Sequence, residues 1–232
     1  MIESLKDDVR ELYGDHTGYV GSWEVKCPVC GNYTPLSFTW SLLELRRSGN
    51  EDEEDGEEKV RVGAYKRIVY MKPVVENNKL RIKVIDLNKE MESRNIFAKV
   101  SKNRIVIKDS GKSYEIPQGN VKVENNYARC LYCGSIIPGK GEKWYVREAI
   151  REWNENYERF LNGEISLEEL RNSKARPTLL VKFKGEGKNL YFQEITDEDK
   201  EVFWEAFNKL REINIMKIPT EKAFPYGLLA FY

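Results

Sequence analysis

Four cysteines form two matched pairs, and their type and spacing are the clearest indication of chemistry in this chain. The pairs are Cys27-Pro-Val-Cys30-Gly31 and Cys130-Leu-Tyr-Cys133-Gly134. Two intervening residues let both sulfurs of a pair reach one metal ion. The glycine lets the backbone fold closely around the second sulfur, and we expect its N–H to bond that sulfur. Two such knuckles predict a tetrahedral, structural Zn²⁺ site with four thiolate ligands and no open position for a substrate.

Other uses of the cysteines are weaker on the sequence alone. Two disulfides would need an oxidising compartment. The segment from Met1 to Lys6 has no apolar signal core, and no apolar run approaches the length of a membrane span. A redox pair does not account for a second copy with the same trailing glycine. An iron–sulfur cluster remains the main alternative to zinc, since four cysteines can also hold one. We therefore expect a cytoplasmic protein with no membrane segment.

Charge is balanced overall but unevenly distributed. The chain has 38 basic and 38 acidic residues, yet residues 51–58 carry seven acids and no base. Residues 59–129 carry 17 Lys and Arg against 7 Asp and Glu. The acidic run predicts a solvated or disordered loop. The alternative is that this run folds over the basic region and mimics a polyanion. The abundance of Lys and Glu is typical of a heat-adapted protein.

The elements that must position the cysteines can be predicted from periodicity. Residues 2–13 predict an amphipathic helix, and 20–26 a strand leading into the first pair. The roughly 100 residues between the pairs predict a β-rich insertion, with strands at 60–75, 79–87, 104–108, 113–116 and 121–124. Apolar and basic residues alternate over 79–84, which predicts one buried face and one positive face.

After the second pair the period changes to that of helices. Residues 144–161 predict a helix with a buried aromatic stripe, and Ser166 to Glu169 form a capping box for a second helix. Residues 176–184 and 188–195 predict a hairpin, followed by a helix from Thr196 to about Glu212 whose core positions include Leu210. We thus predict an α+β protein divided at 1–19 (helix and loop), 20–140 (zinc ribbon with basic insertion) and 141–232 (C-terminal section).

The order of short motifs resembles one known family. The motifs are Cys27-Pro-Val-Cys-Gly-x-x-x-Pro35-Leu36, then Phe38 and Trp40, Lys72-Pro-Val74, the second cysteine pair with Ile137-Pro138, Thr196 to Asp199, and Ile218-Pro219. This order is similar to the zinc-ribbon region of adenine-specific DNA methyltransferases that contain a zinc ribbon, and it covers most of residues 20–232. The family's D/N-P-P-Y/F loop does not occur in the chain. The segment Phe183-Lys-Gly185-Glu-Gly187 fits the letters of the family's F-x-G-x-G turn for S-adenosylmethionine, but it lies in a predicted hairpin, whose turn accounts for Gly185 and Gly187 without a bound nucleotide.

The resemblance implies a non-catalytic module, a split gene product, a fragment or a stand-alone subunit, that binds DNA and supports a catalytic methyltransferase domain or subunit. The expected phosphate contacts are basic residues of the insertion: Lys66, Arg67, Arg81, Lys83, Arg104 and Lys108. The metal ligands are Cys27, Cys30, Cys130 and Cys133. No nucleophile with an adjacent base is readable, so no catalytic residue is predicted. Two alternatives remain, a protein–protein adaptor stabilised by zinc and an enzyme in its own right.

Overall fold

The computed structural model describes residues 18–47, 52–55, 58–101, 104–122, 126–139, 145–185 and 189–215. The predicted helix at 2–13 and the apolar tail at 218–232 lie outside these ranges. The strands are β1 Gly18–Lys26, β2 Tyr33–Pro35, β3 Ser41–Arg46, β4 Asp52–Asp55, β5 Glu58–Glu76, β6 Lys79–Asp86, β7 Ile96–Val100, β8 Arg104–Ile107, β9 Ser113–Glu115, β10 Val121–Lys122, β11 Tyr127–Arg129, β12 Ile136–Pro138, β13 Ala175–Lys184 and β14 Tyr191–Glu194. The helices are α1 Leu87–Glu90, α2 Tyr145–Leu161, α3 Leu167–Arg171 and α4 Asp197–Ile215. The predicted mixture of helix and sheet is confirmed.

The first sheet joins the first cysteine hairpin to the C-terminal section. Its strand order is β14-β13-β1-β2, and all neighbours are antiparallel. Glu24 of β1 lies opposite Pro35 on one side and Arg176 on the other. The second cysteine pair belongs to a small sheet of order β10-β11-β12. The predicted boundary at residue 140 therefore does not separate the first cysteine hairpin from the C-terminal section, because the two share a sheet.

The insertion folds around one long strand. β5 pairs in turn with β4, β7, β3 and β6, and β8 and β9 extend the sheet beyond β7. Its register against β3 shifts at Lys66, which has no opposite residue between Tyr65 and Arg67. Such a bulge reverses the alternation of side chains. Odd positions before Lys66 and even positions after it therefore face the same side of the sheet.

The acidic segment is not a loop throughout. Residues Asp52–Asp55 form β4, which pairs with the start of β5, so the predicted loop is wrong for these four residues. The register sets Asp52 opposite Arg61 and Glu54 opposite Lys59. The register also sets Asp55 opposite Glu58, so backbone pairing with β5 accounts for this strand, whose acidic residues have low strand propensity.

The two faces of the large sheet belong to different cores. One face carries a cluster of buried side chains within the insertion, which includes Tyr65, Ile68 and Ile105. The other face packs on the first sheet through a second cluster, which includes Trp40, Met71, Leu180 and Val181. The second cluster fixes the insertion against the first sheet, as two packed layers that share a core.

The alternation over 79–84 has the predicted result. Ile82 and Val84 pack against the cluster that joins the two sheets, while Lys79 and Arg81 are exposed. At the C-terminal end, Trp153 of α2 is buried against Trp204 of α4 with ring centroids 6.0 Å apart, which confirms the predicted core stripe. Leu210 is 48% exposed, so its predicted core position is wrong, and Trp204 occupies the buried side of α4 instead.

Candidate metal centre

The first cysteine pair lies in the turn between β1 and β2. The amide N–H of Cys27 donates to the carbonyl of Asn32 (2.8 Å), which closes the hairpin that Lys26 and Tyr33 begin. Gly31 has φ of 73°, a left-handed conformation that costs glycine little and a residue with a Cβ much more. Its N–H donates to the carbonyl of Cys27 at 2.9 Å. The expectation that this N–H bonds the sulfur is therefore wrong for the glycine.

The second pair repeats this geometry between β11 and β12. Cys130 N–H donates to the carbonyl of Ser135 at 2.9 Å, and Gly134 N–H donates to the carbonyl of Cys130 at 3.0 Å. Gly134 also has φ of 73°. The amides that reach the Cys130 sulfur are those of Tyr132 and Cys133. Two short hairpins of the same conformation thus present their four sulfurs to a common point.

The sulfur positions match the geometry of a single tetrahedral ion. Cys27 Sγ lies 3.8 Å from Cys133 Sγ, and Cys30 Sγ lies 3.7 Å from Cys130 Sγ. All four sulfurs lie within 4.8 Å of one another. Ligand bonds of about 2.3 Å at tetrahedral angles separate neighbouring sulfurs by about 3.8 Å. The group could therefore hold one metal ion.

The four thiols differ in burial. Cys27 and Cys130 are buried, Cys30 is half-buried and Cys133 is exposed. Burial raises the pKa of Cys130 to about 12, because the thiolate loses solvation. Hydrogen bonds from the Ser135 hydroxyl and amide lower the pKa of Cys133 to about 6. A divalent cation would bind all four as thiolates, so metal binding would release a proton from Cys130.

A buried amide joins the two cysteine hairpins. Asn120 is 5% exposed, and its Oδ1 accepts from the Ser37 N–H at 2.8 Å. Its Nδ2 donates to the carbonyl of Pro35 at the end of β2 (2.8 Å) and to that of Arg129 at the end of β11 (3.0 Å). The sequence gives no sign of this role, because Gly119-Asn120 has the composition of an ordinary turn.

Two further side chains tie the centre to its surroundings. Thr34, fully buried in β2, accepts from the N–H of Leu131 inside the second pair at 3.0 Å. Tyr132 accepts from the N–H of Leu80 in β6 at 3.1 Å, which connects the second pair to the insertion. Neither residue stands out in the sequence. Hydrogen bonds therefore hold the two cysteine hairpins to each other and to the insertion.

The six basic residues predicted to contact phosphates do not form one surface. Arg81 and Lys83 lie on the same side of β6 as Ile85, which faces the core cluster within the insertion. Arg104 and Lys108 are separated by the buried Ile105 and Ile107 of that same cluster, so they face the opposite side of the sheet. Lys66 is exposed at the bulge of β5.

Individual environments also differ. Arg67 is only 18% exposed, and its Nη2 lies 2.8 Å from Asp86 Oδ2, while its Nη1 donates to the carbonyl of Leu190. This guanidinium connects the insertion to the β13–β14 hairpin. Lys83 forms an ion pair with Glu76 at 2.6 Å, and Arg104 Nε donates to Ser113 Oγ at 2.6 Å. Lys66 and Arg81 are exposed.

Comparisons with known proteins leave the chain without an assigned family. No family model matches it, and neither a curated protein sequence nor a solved structure matches it significantly. Within the described ranges, no helix is both long and apolar enough to cross a bilayer. The resemblance to methyltransferase zinc ribbons therefore stays a prediction from the short motifs.

Proposed function

We propose that this chain is a non-catalytic module built around a structural Zn²⁺ ion, and that it binds DNA in support of an adenine-specific methyltransferase. The observation that carries the zinc assignment is the placement of four cysteine sulfurs within 4.8 Å of one another. Four thiolates fill a tetrahedral zinc ion, so the ion would have no position for water or substrate. An iron–sulfur cluster would spread its cysteines around several iron atoms, and this compact group favours a single ion.

The DNA-binding part of the proposal rests on charge. The insertion carries ten more basic than acidic residues over 59–129, and Lys66, Arg81, Arg104 and Lys108 are exposed there. Exposed Lys and Arg contribute to DNA affinity by displacing counterions from phosphates. Arg67 is better assigned to the fold, because leaving Asp86 buried without its partner would be costly.

Binding of duplex DNA over a series of salt concentrations tests this function. Fluorescence anisotropy should show binding at low salt, with the logarithm of the association constant falling linearly with the logarithm of salt concentration. Absence of binding at low salt would reject the DNA role. Calorimetry with S-adenosylmethionine should show no binding to the isolated chain, and a saturable signal would reject the non-catalytic assignment.

A second candidate function is a protein–protein adaptor. Apolar side chains at the cysteine hairpins favour it: Val29 is 69% exposed, and Ile136, which begins β12, is 53% exposed. Phe38, three residues beyond β2, is 67% exposed. Large apolar side chains exposed on a surface are candidates for contacts with another protein. Capture of a partner that is lost on Val29→Ser substitution, with unchanged DNA binding, would favour the adaptor role.

A further inference from the structure

We propose that a groove at the junction of the insertion and the β13–β14 hairpin binds one nucleotide of a nucleic-acid strand, with the phosphate on Lys66 and Lys89 and the base on Tyr191. This proposal rests on the proposed function and extends it to a defined site. The groove has a volume of about 580 Å³ and brings together residues of β3, β5, α1 and β14. The described basic residues that line the groove are Lys66, Arg67 and Lys89. Lys66 is both exposed and one of the predicted phosphate contacts.

The fold holds the two lysines beside each other through Asn88. The Asn88 side chain donates to the carbonyl of Lys66 at 3.1 Å and accepts from the N–H of Ile68 at 3.0 Å. These two bonds connect the bulge of β5 to α1, in which Lys89 directly follows Asn88. The bulge and the helix are therefore fixed as one unit, and the stems of both lysines leave it toward the same groove.

The electrostatics of the groove favour an anion. Among the described residues that line it, none is acidic. Arg67 also lines the groove, but Asp86 neutralises it at 2.8 Å. Lys66 and Lys89 are exposed, and no ion pair joins either of them to a carboxylate in the described part of the chain. Two uncompensated ammonium groups remain to bind a phosphodiester.

Tyr191 supplies the contact for a base. It is 44% exposed, and Lys89 Nζ lies 3.9 Å from its ring centroid. This cation–π contact holds the ring and the ammonium together in the absence of a ligand. When a phosphate draws the ammonium away, the ring face becomes available to an unpaired base, which stacks on aromatic rings whatever its identity.

Anisotropy with a single-stranded oligonucleotide over a salt series tests the groove. Each phosphate contact contributes about 0.7 to the salt slope for single strands, so the Lys66→Ala/Lys89→Ala variant should reduce the slope by about 1.4. Tyr191→Ala should weaken binding by about 5- to 150-fold with little change in slope, and Tyr191→Phe should bind as the wild type does. The control variant Lys72→Ala/Lys112→Ala removes the same charge from exposed positions outside the groove.

The outcomes separate this proposal from the function on which it rests. If the wild type binds neither duplex nor single-stranded DNA at low salt, the DNA role itself is rejected, and the groove proposal with it. If the wild type binds but the Lys66/Lys89 variant keeps the slope of the control, the groove is rejected while the DNA role stands. Binding of duplex alone, with Tyr191→Ala unchanged, also rejects the groove.

Discussion

Replacing Asn120 by alanine should destabilise the protein, because this one amide joins both cysteine hairpins. Asn120→Ala removes three hydrogen bonds, to Ser37, Pro35 and Arg129, all between 2.8 and 3.0 Å. A hydrogen bond within a protein contributes about 0.5–1.5 kcal/mol, so we expect a loss of about 2–4 kcal/mol. Ser37 and Pro35 are buried, and water cannot readily replace the lost partner at their backbone groups.

Denaturant unfolding of the metal-loaded protein measures this loss. The midpoint should fall while the dependence of free energy on denaturant stays constant, because the surface exposed on unfolding is nearly unchanged. Asn162→Ala is the matched control, since Asn162 is exposed and bonds only weakly to Glu164 at 3.4 Å; it should change stability by less than about 0.5 kcal/mol. If Asn120→Ala were no more destabilising than this control, the assigned role of Asn120 would be refuted.

Three further predictions concern the C-terminal section. The partly buried pair of Lys182 and Asp199 should make stability sensitive to acid. Burial alone would raise the pKa of Asp199, but bonds from Lys182 and Thr196 outweigh it and lower the pKa below its usual 3.8. The stabilisation by this pair is therefore complete above the unfolded-state pKa of 3.8 and is lost as pH falls through the folded-state pKa. The difference in unfolding free energy between wild type and Asp199→Asn should shrink below about pH 4. A difference that stays constant with pH would contradict this. Thr196→Ala should cost about 1 kcal/mol in thermal unfolding, because Thr196 Oγ1 accepts from the Asp199 N–H at 3.1 Å at the start of α4; an unchanged melting temperature would reject the cap. Trp153→Ala should cost about 3–5 kcal/mol and Leu210→Ala less than about 0.5, since Trp153 is 4% and Leu210 48% exposed; equal losses would contradict the core assignment.

Local pattern was enough to predict most helices and strands. β-branched runs gave β5, β6 and β8, and the capping boxes at Ser166 and Thr196 are present with both reciprocal bonds. The strand Ile96–Val100 was missed although its alternation is clear in the structure, with Phe97 42% exposed between buried neighbours. Its short length beside a polar stretch gave too little signal.

The pairing of strands that are distant in sequence could not be predicted. β4 forms from acidic residues of low strand propensity because it pairs with the start of β5, and that pairing has no local signal in the sequence. The pairing of β1 with β13 joins residues about 150 positions apart. Nothing in either strand specifies the other, so the C-terminal section was predicted as separate from the first cysteine hairpin.

The candidate metal ligands were predictable, because paired C-x-x-C spacing is typical of metal-binding hairpins. The residues that support the cysteines were not predictable, because a buried asparagine and a turn asparagine at the surface cannot be told apart from the sequence. The spread of the basic residues over two faces also depends on the bulge at Lys66, which reverses the alternation of β5. The basic residues in the sequence therefore indicated neither that Arg67 is largely buried nor which face of the sheet each side chain occupies.

Metal content of the purified chain tests the central claim most directly. Elemental analysis should find one zinc per chain, bound by Cys27, Cys30, Cys130 and Cys133. Removal by a chelator should free four titratable thiols and abolish cooperative unfolding, since structural zinc contributes on the order of 10 kcal/mol to the folding of small zinc domains. Iron with inorganic sulfide would contradict the zinc assignment. Four free thiols in a metal-free chain of undiminished stability would contradict the metal centre altogether.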